Sequence, residues 1–269
     1  MEIDFALLRQ NAGDAVPALI THIEPESDRD TLVKHVRELC QCFVNIAAAT
    51  LLLEGRSQPF FLNLCRAAEN WRRLLVHLEQ RKLRPPPASW GITPLAGAVA
   101  AGHWSLAAEV AERMSTEWRK EEDEYAVEFA WASTLGALVL HAQRGVDPSA
   151  RFDYLARVAR EDCWLALGRS LVAADSSGFR SAFAAALSVH EARTEARARS
   201  FTTREEHFAA HRYLWFEGLA LLRLAGKREL DISNERYRYC PPLALVPMTE
   251  RYQGDWVASI GDAPRDGGR

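Results

Sequence analysis

Apolar residues recur three or four apart along almost the whole chain, and nowhere do Val, Ile and Thr alternate with polar residues over a useful length. That pattern calls for helices packed on helices and leaves no sheet to build on. In residues 28–53, Leu32, Val36, Leu39, Phe43 and Ile46 keep helical spacing, with Asp28 and Asp30 at the start and Gly55 as the stop. Residues 59–82 predict a second long helix with Phe61, Leu64, Cys65, Ala68, Trp71, Leu75 and Leu78 on one face. Pro85, Pro86 and Pro87 then make a break that no helix interior accepts.

Beyond the break the predicted helices are shorter and paired: 90–101 and 104–114, then 121–142, 149–159, 161–174 and 179–198. Ser176-Ser177-Gly178 reads as a turn, and Thr203 with Glu206 forms a capping box for a helix ending near Ala225-Gly226. Gly102, Gly178 and Gly226 mark three small-residue corners at unequal spacing, so no regular repeat is present. The expected fold is all-α, an irregular stack of antiparallel helical hairpins in one domain over residues 1–260. It has a helical part over 1–84, a break at 85–87, an irregular proline-bearing stretch from Leu230 and a disordered tail at 261–269.

At 269 residues the chain can bury a core without disulfide or metal, and 48% apolar with 26% charged residues is ordinary globular composition. The net charge of −3 argues against nucleic-acid binding driven by overall charge. No uninterrupted apolar run reaches about 18 residues, which argues against a membrane-spanning helix. Acids in MEIDFALLRQ argue against a signal peptide, so a cytoplasmic location is expected. Five cysteines without secretion point to reduced thiols, with Cys40 and Cys42 as small apolar core residues.

Phosphate-binding loops, zinc-protease motifs and nucleophile elbows are absent from the sequence, and no catalytic residue or cofactor is assigned. His207 and His211 lie four apart beside Glu205 and Glu206, a conceivable metal pair, but Phe208 stands where the catalytic glutamate of HExxH belongs. Arg66, Arg72, Arg73, Arg81, Lys82 and Arg84 form a basic region that reads as a solvated helix face, or as a phosphate or RNA site beside Trp71. Glu117, Glu121, Glu122, Asp123, Glu124 and Glu128 set six acids against Arg119 and Lys120, with Trp118, Tyr125, Phe129 and Trp131 interleaved. This stretch reads either as the solvated start of a helix or as a docking patch for a cationic partner. The docking reading selects Glu117, Trp118, Glu121, Glu122, Asp123, Glu124, Tyr125 and Glu128. Of eight tryptophans, Trp90, Trp104, Trp131, Trp164 and Trp215 read as core knobs, and Trp118 and Trp256 as surface residues.

The second half resembles the immunity protein 49 family of bacterial polymorphic toxin systems. The resemblance lies in GFRSAFAAALSVHEA from Gly178, in Gly218-Leu219-Ala220 through Leu224-Ala225-Gly226, and in YRYCPPLAL from Tyr237. It spans residues 90–245 and is a pattern of small and apolar residues, with no catalytic signature to carry over. It implies a cytoplasmic antidote, with no enzymatic activity, that binds a toxin encoded by a neighbouring gene, of a type VI or related system, and occludes its active site. Two alternatives stand beside it: a helical scaffold that binds a peptide or regulatory protein in its concave face, and an enzyme built on His207, His211 and Glu206.

Overall fold

The computed structural model describes residues 3–159, 162–200, 205–232 and 236–261. Among them are eleven α-helices and no strand, so the all-α expectation holds. The first three are α1 (Phe5–His22), α2 (Arg29–Glu54) and α3 (Ser57–Gln80). Asp28 caps α2 by accepting the Thr31 amide, and Gly55 ends it in the left-handed region at φ 63°. Both ends therefore form by the chemistry read from the sequence. The α1 helix, which the apolar spacing did not single out, starts on Asp4, whose carboxylate accepts the amides of Ala6 and Leu7. It contains Pro17.

Then come α4 (Ile92–Ala100), α5 (Trp104–Arg113), α6 (Ala126–Arg144), α7 (Ser149–Val158) and α8 (Cys163–Ala173). The last are α9 (Ser176–Ala198), α10 (Glu205–Tyr213) and α11 (Phe216–Lys227). Successive helices from α1 to α9 pack on one another, and α11 returns to α4. One continuous apolar cluster runs from Val16 on α1 to Ile260, with Trp71, Phe60, Phe61, Phe183 and Phe216 fully buried in it. By length and hydropathy alone α2 is apolar enough to cross a bilayer, although no uninterrupted run betrays it. In this fold it packs between α1 and α3 with 61% of its most apolar window buried.

Four boundaries differ from the expectation. The acidic stretch does not open α6, because Asp123 takes a left-handed conformation (φ 58°) after a 3-10 turn over Lys120–Glu122. Ser176-Ser177-Gly178 is the first turn of α9, not a loop. Asp175 accepts the Gly178 amide as the cap, and the left-handed turn residue is Ala174 (φ 54°). The helix expected to reach Ala225 is split, because the Trp215 amide leaves the helical ladder and donates to the Tyr239 carbonyl at 2.9 Å. Gly226 lies inside α11 with open space around it, and Glu229 (φ 58°) makes the turn. Only Gly102 (φ 73°) serves as the expected glycine corner. Thr203 of the capping box and the tail from residue 262 onward lie outside the described residues.

The irregular segment after α11 is strapped to α3. Asn70 on α3 accepts the Ala258 amide at 2.8 Å and donates to the Trp256 carbonyl at 3.0 Å, while Arg73 donates to the Ala258 carbonyl at 3.1 Å. Gln58 accepts the amides of Thr249 and Glu250. These bonds satisfy backbone groups that have no helix of their own.

Candidate functional site

The acidic segment between α5 and α6 is a loop built around one inward-facing carboxylate. Glu124 is only 3% exposed. Its two oxygens accept the amides of Arg119 and Ser89, each at 2.9 Å, and its carbonyl accepts the Trp118 indole N–H at 2.7 Å. Ser115 donates its hydroxyl to the Glu117 carbonyl at 2.8 Å. Glu122 holds Arg29 of α2 through both oxygens, at 2.8 and 2.9 Å. The loop is thus tied to α2 and to the segment before α4, and its shape is set before any partner arrives.

Eight residues were expected to face a partner, and the fold sorts them. Glu117, Glu121, Asp123 and Tyr125 are exposed, Tyr125 at 71% and Trp118 at 41%. Glu128 opens into a cleft beside the loop. Glu124 faces inward as the staple, and Glu122 is committed to Arg29. The basic region is dismantled in the same way. Arg72 and Arg73 both bond Glu69, Arg66 bonds Asp255, and Arg81 donates to the carbonyls of Pro25 and Ser27. These arginines are structural ties rather than a solvated face: Glu69 on the same helix holds Arg72 and Arg73, while the strap and the loop after α1 supply the acceptors for Arg66 and Arg81 that the sequence spacing hides.

The cleft beside the loop has a volume of about 1560 Å³. One wall is a face of α2 bearing Asp30, Lys34, Arg37, Gln41 and Val44, about 20 Å long at 1.5 Å per residue. The acidic loop lines the end near Arg29. At the other end α10 crosses α2, where the Asn45 amide donates to the Glu206 carbonyl at 2.8 Å. Five of the eight tryptophans contribute to the walls: Trp71, Trp90, Trp131, Trp164 and Trp215. Trp131 and Trp164 meet at 4.5 Å, and Trp164 sets its edge against Trp215 at 6.1 Å. Trp131, Trp164 and Trp215 are core knobs as expected, whereas Trp90 and Trp104 are only partly buried against the core.

Near Trp215 the cleft holds titratable groups that burial shifts toward their neutral forms. His190 stacks on Trp215 with ring centres 4.9 Å apart and lies 3.3 Å from the Thr194 hydroxyl. His211 meets Phe216 edge-on at 5.2 Å. Burial, aided by nearby Arg193 for His190 and Arg197 for His211, lowers both imidazoles to about 4. Burial likewise raises the carboxyls of Glu217 and Glu128. His207 lines the same cleft, but among the described residues no set of three metal-ligating side chains comes together. Cys40 donates its thiol to the Ala67 carbonyl at 3.1 Å, and burial pushes Cys42 up to about 11, so neither is a ready thiolate.

Nothing in the sequence spacing announces this cleft, because its aromatic and histidine lining comes from helices far apart in the chain. Perturbed titratable groups in a concave aromatic site are what a ligand-binding surface offers. In comparisons with protein families, characterised proteins and solved structures, the chain matches none of them.

Proposed function

We propose that this chain is a cytoplasmic binding protein that neutralises a cognate secreted bacterial toxin by occluding its active site, as the resemblance to the immunity protein 49 family implies. It performs no catalysis of its own in this reading. The observation that supports it is the stapled acidic loop: Glu117, Glu121, Asp123, Trp118 and Tyr125 stand exposed on a backbone fixed by Glu124 and Glu122. A fixed loop loses little conformational entropy on binding. Exposed carboxylates speed encounter with a basic surface, and the two aromatics supply the apolar anchors that rim charges lack. The adjoining cleft adds concave surface toward the roughly 1,600 Å² that a stable interface needs.

The test is co-expression with the product of the neighbouring gene. The proposal expects restored growth and a complex that survives gel filtration. Unrelieved toxicity with no complex would remove it. A second reading, a scaffold that binds a peptide segment, is favoured by the length of the α2 wall. It expects a peptide to compete for the cleft without any toxin being neutralised.

A further inference from the structure

The α2 wall of the cleft carries two cations that form no ion pair among the described residues. Lys34 and Arg37 lie one turn apart and both line the cleft. Arg29, two turns earlier on the same helix, shows the contrast: it is saturated by Glu122 and Asp30. Glu38 also lines the cleft but makes no bond to Arg37.

Arg37 rests on an aromatic ring. Its guanidinium carbon lies 3.9 Å from the centre of the Trp90 ring. Stacking covers one face and leaves the in-plane N–H donors free, the geometry that receives a carboxylate or phosphate in a fork. Arg193 and Arg197 on α9 also line the cleft, where their charges act on Glu128, and Asp30 and Glu38 are acids on the α2 wall itself. Both Lys34 and Arg37 are exposed at the cleft wall, so a ligand entering the cleft can reach them.

We propose that Arg37, seated on Trp90, together with Lys34 forms a binding site for an oxyanion, a phosphate or a carboxylate, carried into the cleft by its ligand. The stacked, unpaired guanidinium is the observation that carries it. The site is separate from the exposed acids of the loop, so its fate and that of the toxin-binding reading are decided by different variants.

Titration calorimetry on the full chain at low salt tests it with two probes: inorganic pyrophosphate, and a short polyglutamate peptide. Binding of at least one is expected, weakening as salt rises. Arg37→Gln and Lys34→Gln should each reduce affinity at least about tenfold, the loss of one charge-assisted bond. Lys34→Gln should do so without change in melting temperature, and Arg37→Gln with only the small decrease expected from losing the Trp90 contact. Arg37→Lys should recover only part of the affinity, since it restores the charge without the fork. Pyrophosphate binding alone assigns a phosphate ligand, and peptide binding alone a carboxylate. The proposal is overturned if neither probe binds, or if both glutamine variants bind as the parent does.

Discussion

Glu124 and Ser89, 35 residues apart, are joined by a hydrogen bond from the Ser89 amide to the buried Glu124 carboxylate at 2.9 Å. With the Arg119 amide on its other oxygen, this one side chain fixes both the acidic loop and the segment that leads into α4. Removing it leaves two amides without acceptors in a dry site. Glu124→Ala is expected to destabilise the protein by about 2–4 kcal/mol. Glu121→Ala, at an exposed position, should change stability by less than about 0.5 kcal/mol. Chemical denaturation of the two variants side by side checks the contrast, and equal stabilities would refute it.

The two glycines at the expected corners should behave in opposite ways. A side chain at Gly178 meets the Asp175 carboxylate that caps α9 and approaches the Ser170 hydroxyl. Gly178→Val therefore costs the cap, on the order of 1–3 kcal/mol. Gly226 lies within α11 with nothing nearby. Gly226→Ala should stabilise by about 0.5–1 kcal/mol, because alanine restricts the unfolded chain and suits a helix. Thermal melts should move down for the first variant and up for the second.

Acid should weaken the fold through His190 and His211. Their folded values near 4 lie below the ordinary 6.5, so the unfolded chain binds more protons between those limits. Their contribution is complete above pH 6.5 and is lost as pH falls toward 4. Glu217 and Glu128 act in the opposite sense, because raised carboxyls keep the folded state protonated where the unfolded state is ionised. Replacing both histidines with glutamine should flatten the loss of stability between pH 6.5 and 4. An unchanged slope would show that these imidazoles are not held neutral.

The long helices were legible because their signals are local. Asp28, Gly55 and the apolar stripe of α2 act within a few residues of one another. The acidic run was legible as composition but not as structure. Six acids look alike in sequence, and the placement of the Ser89 and Arg119 amides selects Glu124 to turn inward. The strap was hidden for the same reason. Asn70 and Arg73 sit in a region that reads as basic surface until Ala258 supplies their backbone partners from the far end of the chain. The cleft depends on α2, α6, α9 and α10 meeting, a tertiary fact that periodicity cannot encode.

In the proposed complex the exposed acids of the stapled loop receive a basic toxin surface. Glu117→Lys, Glu121→Lys and Asp123→Lys together reverse the exposed charge while leaving Glu124 and Glu122 in place. The decisive measurement is the association rate with the purified product of the neighbouring gene, taken for parent and triple variant across a series of salt concentrations. The variant should fold and associate more slowly by at least about tenfold at low salt, with a flatter salt dependence. Identical rates and identical salt dependence in parent and variant would contradict this role of the loop.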